Sequence, residues 1–139
     1  MEQILVFTID DKKYAVPIES VVEIVVLHAI TKLPDMPHCI AGMINLRGKL
    51  VPVMDIRDRL YNVDTILNDR KCMIIVENNN DEVAFIVDEV KEVVALTDAI
   101  EVSDTTSAED KYIKSIITYE DETYLVLNIP EILDLQFAI

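Results

Sequence analysis

The sequence predicts an all-β fold with one or two short helices. Val and Ile together supply 36 of the 139 residues, and their side chains, branched at Cβ, favour extended backbone. Roughly nine or ten short apolar segments follow one another along the chain, separated by turn-forming residues, which is typical of sandwiches and small barrels. No strict repeat links these segments, so we expect two β lobes rather than a repeat array.

Size and composition indicate a single domain over residues 1–139. Hydrophobic residues make up 51% of the chain, enough to offset the conformational entropy lost on folding. No apolar run approaches the roughly 20 residues of a membrane-spanning helix, and the N-terminus lacks the pattern of a secretion signal. Cys39 and Cys72, the only thiols, fit buried small hydrophobic residues better than a disulfide framework. We therefore expect a cytoplasmic protein without direct membrane insertion.

The net charge of −14 is unevenly distributed along the chain. Residues 1–70 carry ten acidic and eight basic side chains, whereas residues 71–139 carry sixteen acidic and four basic ones. An acidic surface repels phosphate groups, which disfavours both nucleic acid and anionic membranes as partners. The basic residues of the first half include a group close together in sequence, namely Arg47, Lys49, Arg57 and Arg59. A solvated face is the simplest interpretation of the last three.

The first segments predict a hairpin followed by an ambiguous stretch. Residues 3–10 form a strand, Asp11 and Lys12 a tight turn, and residues 13–16 the partner strand. Pro17 ends that strand because proline has no N–H to donate. The apolar positions in residues 18–25 fit a helical turn as well as a strand, and periodicity does not decide between them.

A second hairpin is predicted in the middle of the first half. Residues 33–37 contain two prolines and are therefore extended or turned. Residues 41–46 and 49–55 then pair across Arg47 and Gly48, where glycine tolerates a positive φ. The polar residues 61–71 separate this hairpin from the next strands.

The clearest hairpin lies just beyond the middle of the chain. Residues 72–76 and 82–87 flank residues 78–81, three Asn and one Asp that tolerate left-handed backbone. Both strands are almost continuously apolar, which predicts burial on both faces. Residues 90–96 are a further strand, and the acidic residues 98–110 a surface loop.

The C-terminal part predicts one more hairpin and a helix. Residues 112–119 and 123–128 pair across residues 120–122. Residues 130–135 form a short helix with proline near its first position, where the missing N–H costs nothing.

Catalytic motifs are missing from the sequence. With glycine only at positions 42 and 48, neither a Walker loop nor a dinucleotide-binding fingerprint can be formed, and no serine lies in a nucleophile elbow. Asp55 and Asp88 are the best candidate catalytic carboxylates because each follows a strand predicted to be buried. The competing interpretation is structural, with each carboxylate bound by backbone donors or a nearby Arg. We expect a binding protein and no enzyme.

Rival hypotheses remain open on the residues alone. His28, His38 and Cys39 are the only candidates for a metal- or redox-dependent site, but they lack paired thiolates and the His-x-x-x-His spacing of metal sites. We expect no metal and no cofactor. A third hypothesis is a scaffold that self-associates through exposed strand edges.

Several short motifs, taken in order, resemble the CheW domain family. The most specific is Asn45-Leu46-Arg47-Gly48, followed by Val51-Pro52-Val53-Met54-Asp55. Essentially the whole chain takes part in the resemblance, through flanking motifs at residues 5–7, 14, 17–18, 21–24, 33–37, 40–44, 85–90 and 127–129.

The resemblance implies a fold and a function. It implies two five-stranded β-barrel subdomains around a shared hydrophobic core, divided roughly between the first and second halves of the chain, with a short C-terminal helix. It further implies a non-catalytic coupling protein that links chemoreceptors to a CheA-type histidine kinase in bacterial chemotaxis. An adaptor of a pilus-motility or other chemosensory pathway is the alternative. Such a protein is a monomer when isolated and is recruited from the cytoplasm to membrane-associated chemoreceptor arrays.

The resemblance also carries partner-binding residues onto this sequence. Those implied for the regulatory domain of the kinase are Leu5, Ile18, Val21 and Val90. Those implied for the cytoplasmic tip of the chemoreceptor are Val21, Glu23, Gly42, Arg47 and Val93. An ordinary core position is the competing interpretation for the apolar residues, above all Leu5. Arg47 could instead bind Glu23 or Asp55 internally and hold the two lobes in register.

Overall fold

A computed structural model describes residues 3–27, 29–63, 65–67, 70–97, 101–104 and 111–135, with the backbone alone at residues 101–104. These residues form eleven strands, two short helices and a 3-10 turn at Ile18–Ser20. The strands and helices in chain order are β1 Gln3–Ile9, β2 Lys12–Pro17, β3 Val21–Val26, β4 Ile40–Leu46, β5 Lys49–Asp55, α1 Ile56–Tyr61, β6 Cys72–Asn78, β7 Asp81–Val87, β8 Glu89–Ala95, β9 Glu101–Asp104, β10 Ile113–Tyr119, β11 Glu122–Leu127 and α2 Ile129–Leu133.

The strands form two sheets, which confirms the predicted all-β class. The first sheet has six strands in the order β8-β1-β2-β11-β10-β9, and the second has five in the order β3-β6-β7-β5-β4. Each sheet contains one parallel pair, β2 with β11 and β5 with β7, among antiparallel neighbours. The first sheet therefore has six strands where five were expected, and it combines both ends of the chain. The second sheet is built from the middle of the chain. This differs from the expected division into first and second halves, because strands distant in sequence pair with each other.

Both sheets bury both faces. Alternate side chains of β1 point to opposite sides, so Phe7 lies in a core between the sheets while Val6 lies in a separate cluster behind the first sheet. The second sheet has the same arrangement, with Ile74 in the shared core and Ile75 in a cluster behind it. One shared core with an outer cluster on each side is the arrangement expected for two small β lobes.

The hairpin turns carry non-glycine residues with positive φ. The β1–β2 turn is formed by Asp10 and Asp11 at φ +53° and +65°, one residue earlier than expected. Asn79 and Asn80 close the β6–β7 hairpin at +53° and +70°, as the run of Asn residues predicted. Short polar side chains stabilise this conformation through local hydrogen bonds, so these turns could be located from sequence.

Two elements differ from the sequence predictions. Helix α1 was not expected; it begins after Asp55, whose side chain accepts a hydrogen bond from the Asp58 N–H at 3.4 Å, and ends at Asn62 in left-handed conformation. Strand β9 pairs with β10 inside the expected surface loop at residues 98–110, and the rest of that loop lies outside the described residues. The ambiguous stretch contains both alternatives, the 3-10 turn at Ile18–Ser20 followed by β3.

Arg57 is not part of a solvated face, because it joins the two sheets. Its side chain is only 13% exposed, and Nη2 lies 2.8 Å from Asp88 Oδ2 and 2.8 Å from Asp10 Oδ1. Lys71 Nζ lies 2.7 Å from the other oxygen of Asp88, and the Asp10 N–H donates to the same carboxylate at 2.9 Å. The structural interpretation of Asp88, a strand-end carboxylate bound by backbone and Arg, is confirmed.

Arg59 also has a structural role that the sequence did not predict. Its Nε donates to the Ile132 carbonyl at 2.9 Å and its Nη2 to the Asp134 carbonyl at 3.0 Å, which binds the end of α2 to α1. The guanidinium stacks over the Tyr112 ring at 4.8 Å. Of the three basic residues assigned to a solvated face, Lys49 alone keeps a largely exposed side chain, 3.5 Å from Glu82.

The Asp88 contacts predict a pH-dependent stability. Burial raises the pKa of Asp88, but the hydrogen bonds from Lys71 and the Asp10 N–H and the charge of Arg57 outweigh it, so the pKa is lowered on folding. The stabilisation is therefore complete above the pKa of an unfolded Asp, about 3.9, and is lost as pH falls below it. In urea unfolding, the difference between the wild type and Asp88→Asn should shrink below about pH 4.

Thr118→Ala, which changes no titratable group, is the control for this measurement. Its difference from the wild type should stay constant over the same pH range. A difference for Asp88→Asn that is equally constant contradicts the assignment.

Candidate functional site

Glu23 and Arg47 join the two edge strands of the second sheet. Glu23 lies on β3 and Arg47 in the β4–β5 turn, at opposite ends of the strand order. Both guanidinium Nη atoms donate to the Glu23 carboxylate, Nη1 to Oε2 at 3.2 Å and Nη2 to Oε1. This fork-to-fork pair links the two edges of the five-stranded sheet.

Gly42 allows the backbone to approach closely at the same place. Thr31 and Met43 exchange two backbone hydrogen bonds of 2.9 Å, which brings the segment after β3 against β4. A Cβ at Gly42 would lie 2.2 Å from the Thr31 carbonyl oxygen, and Gly42 has φ +148°. We call this region the seam, formed by Glu23, Thr31, Gly42, Met43 and Arg47. Three of the five predicted receptor-binding residues lie in it.

The partner of Arg47 decides between the two internal alternatives. Asp55 is engaged elsewhere, because its carboxylate accepts from the Thr65 N–H at 2.9 Å and the Thr65 hydroxyl at 2.6 Å. Arg47 binds Glu23, and both belong to the second sheet, so the pair closes one lobe and does not hold two lobes in register. The Arg47 side chain remains 70% exposed, which leaves it accessible to a partner.

The predicted kinase-binding residues divide into one core residue and three at a surface. Leu5 is 2% exposed and lies inside the shared core, so its side chain does not form a contact surface. The structure therefore agrees with the competing interpretation of Leu5 as an ordinary core residue. Ile18, Val21 and Val90 are half-buried and pack on the margin of that core. Val93, predicted for the receptor, is exposed further along β8.

Strand β3 adds exposed apolar residues that the sequence predictions missed. The pairing of β3 with β6 shifts register between Val21 and Glu23, so that Ile24 lies opposite Ile74 and Val26 opposite Cys72. Ile24 and Val26 therefore face the same side as the shared core but project beyond it, and Val26 is 76% exposed. Because the sequence of residues 18–25 fitted helix and strand equally well, it did not predict which side chains of β3 would be exposed.

Cys72 connects these residues to Val90. Burial raises the pKa of the Cys72 thiol, and a hydrogen bond with the Val90 backbone lowers the pKa by less, so the pKa is raised overall. Val26 lies opposite Cys72 on the neighbouring strand. An apolar surface therefore runs from β8 across Cys72 to β3, and we call it the apolar flank, formed by Ile18, Val21, Ile24, Val26 and Val90.

The candidate reactive residues are engaged in structural contacts. His38 Nδ1 lies 2.6 Å from the buried Asp58 carboxylate, and Cys39 is buried with a pKa raised mainly by burial. His28, the third member of the suggested metal or redox site, lies outside the described residues. Across the described ranges, no cluster of three or more His, Cys, Asp or Glu is placed to hold a metal ion. Within the same part of the chain, no helix has the length and hydropathy to cross a membrane.

Comparison with known proteins gives consistent matches. A sequence model of the CheW-like domain matches residues 3–137. The chain is 29% identical over 138 residues to the chemotaxis protein CheW of Helicobacter pylori, covering 97% of this chain and 83% of that protein. It is 35% identical over 95 residues to CheW of Bacillus subtilis, covering 68% of this chain and 61% of that protein. The scaffolding protein TtCheW of Thermoanaerobacter tengcongensis has a similar structure, with a TM-score of 0.87, 28% identity and coverage of 99% and 95%.

The seam predicts different costs for the two glycines. In Gly42→Ala the new Cβ meets backbone that cannot move without opening the seam, so we expect a loss of about 3 kcal/mol in the free energy of unfolding. Gly48→Ala is the control, because Gly48 has φ +84° but no atom within 4 Å of the new Cβ, and should cost about 1 kcal/mol. Denaturant unfolding of both variants measures the difference, and equal costs would show that the close approach does not matter.

Proposed function

The chain belongs to the CheW-like domain family, and on that premise we propose that it is a non-catalytic coupling protein that links chemoreceptors to a CheA-type histidine kinase in bacterial chemotaxis. The observation that carries the proposal is that β3 contributes to two separate surfaces. Glu23 on one face belongs to the seam, whereas Ile24 and Val26 on the other face belong to the apolar flank. A small protein with two surfaces can bind two partners at once, which is what coupling requires.

The apolar flank is the proposed site for the kinase regulatory domain. Ile18, Val21 and Val90 are half-buried against the shared core, which holds them in place. Ile24 and Val26 add exposed apolar side chains on β3. Removing such groups from water contributes about 25 cal/mol per Å² before the entropic cost of association. Leu5 supports the flank from inside the core.

The seam is the proposed site for the receptor tip. Arg47 uses one side of its guanidinium for Glu23 and stays largely exposed, so further N–H donors can reach carboxylates or carbonyls on a receptor helix. Val21, which also belongs to the apolar flank, and the exposed Val93 are proposed as additional apolar contacts outside the seam, and Gly42 acts indirectly by allowing the seam to close.

Neither proposed contact requires the chain to enter a membrane. The acidic second half would be repelled by anionic lipid, which supports a cytoplasmic protein recruited to the arrays by the receptors.

Substitutions in the apolar flank should weaken kinase binding. In Val26→Asp and Val90→Asp a carboxylate must lose its hydration on association, so we expect at least about tenfold weaker affinity for a kinase regulatory domain in calorimetric titration. Val26 is largely exposed, so that variant should fold like the wild type.

Thr118→Asp, at an exposed position of the first sheet, is the matched control and should bind normally. Wild-type affinity in both flank variants would exclude this surface as the kinase site.

Arg47 should act through its exposed guanidinium. We expect Arg47→Glu to weaken capture of a receptor cytoplasmic fragment about tenfold while kinase binding is retained, because a cation that meets receptor acceptors becomes an anion. Lys49→Glu, another exposed charge reversal two residues away, is the control and should have little effect.

A charge swap distinguishes contact from closure of the seam. Glu23→Arg combined with Arg47→Glu restores an ion pair between β3 and the β4–β5 turn, and with it the stability lost in the single variant. Receptor capture should remain weak in the double variant. Full recovery of capture would mean that Arg47 acts only by closing the seam.

A further inference from the structure

Asp88 occupies the point where the chain passes from one sheet to the other. Val87 ends β7 in the second sheet, and Glu89 begins β8 in the first. The Asp88 N–H donates to the Thr8 carbonyl on β1 at 3.0 Å. Its backbone is therefore already bound to the first sheet, while the preceding residue pairs in the second.

The Asp88 carboxylate collects donors from three separate segments. The Asp10 N–H comes from the β1–β2 turn, Arg57 from α1 and Lys71 from the residue before β6. The turn belongs to the first sheet, whereas α1 and β6 are continuous with strands of the second. Arg57 extends the contacts by binding Asp10 as well, at 2.8 Å. We call Asp10, Arg57, Lys71 and Asp88 the Asp88 cluster.

The charges of the cluster are balanced and mostly buried. Two cations meet two carboxylates, and the side chains of Arg57, Lys71 and Asp88 are each at least three-quarters buried. Ion pairs with little solvent around them are weakly screened, and removing one partner leaves the other charge buried and uncompensated. The lowered pKa of Asp88 agrees with a carboxylate stabilised in its ionised form.

The apolar flank depends on the orientation that this cluster fixes. Val90 belongs to β8 in the first sheet, two residues after Asp88, whereas Val21, Ile24 and Val26 belong to β3 in the second. These residues form one surface only while the two sheets keep a fixed mutual position. A change in the angle between the sheets would move Val90 relative to Val26 and interrupt this surface.

We infer that the Asp88 cluster is a positioning device for kinase binding, which holds the two sheets so that their edge strands present one continuous apolar flank. The inference rests on the proposed function. None of its four residues belongs to the proposed contact surface, so the cluster acts through Val90 and β3.

Asp55 provides a matched comparison for Asp88. It is also a mostly buried carboxylate at the end of a strand, and it accepts hydrogen bonds from the backbone and a side chain. Its partners, Asp58 and Thr65, both follow β5 in the second sheet, so Asp55 does not connect the sheets. We expect Asp55→Asn to destabilise the fold but to leave the orientation of the sheets unchanged, because Asn can still accept the Asp58 N–H at the start of α1 and keep Arg57 in place.

The test compares Asp88→Asn with Asp55→Asn at a temperature at which both variants are fully folded. Titration with a CheA-type regulatory domain should show about tenfold weaker binding for Asp88→Asn and nearly wild-type binding for Asp55→Asn. Residual dipolar couplings of the free proteins should fit one common orientation of the two sheets in the wild type and Asp55→Asn. In Asp88→Asn, no single common orientation of the two sheets should fit the couplings.

A conservative substitution checks that charge is the cause. Lys71→Arg should retain kinase affinity, whereas Lys71→Met should lose it as Asp88→Asn does. Equal affinities in Asp88→Asn and Asp55→Asn, or an unchanged sheet orientation in Asp88→Asn, would overturn the inference. If the wild type does not bind the regulatory domain, the proposed function fails. The dipolar couplings then decide by themselves whether the cluster orients the sheets.

Discussion

The hydrophobic core shared by the two sheets is the constraint on which the other features depend. Because side chains alternate along a strand, each central strand contributes one row to this core and one row to the cluster behind its own sheet. Strands β1 and β6 are consequently apolar along most of their length and have no polar face. At the edges of the two sheets, β3 and β8 carry half-buried and exposed Val and Ile residues that lie outside the core.

Strand β3, at one edge of the second sheet, has one face in contact with the seam and one face uncovered. At the seam, the Arg47–Glu23 pair and the Thr31–Met43 hydrogen bonds bring β4 against β3 and the segment that follows it. On the other face of β3, Ile24 and Val26 remain uncovered. Exposed apolar side chains on an edge strand invite association with other chains, and a binding protein can use that property when a specific partner covers them.

The sequence predicted local features well and long-range contacts poorly. The hairpins were predictable because Asn79, Asn80 and Gly48 favour the backbone conformations their turns require. Helix α1 is too short for a clear apolar period, and Arg57 and Arg59 have partners far away in sequence, at Asp88 and Ile132. The resemblance to the CheW domain selected Glu23, Gly42 and Arg47, which the structure brings together at the seam, but it could not show that Leu5 is enclosed in the core.

The strand order also determines when each sheet can fold during synthesis. Strands β1 and β2 share the first sheet with β10 and β11, and Tyr14 on β2 pairs with Leu125 on β11, so this sheet is completed only after β11 has left the ribosome. The second sheet comes from the middle of the chain and can assemble earlier. Meanwhile β1 and β2 wait as an apolar hairpin without most of their neighbours, which exposes them to aggregation. Nascent chains should therefore depend on chaperones until β11 emerges.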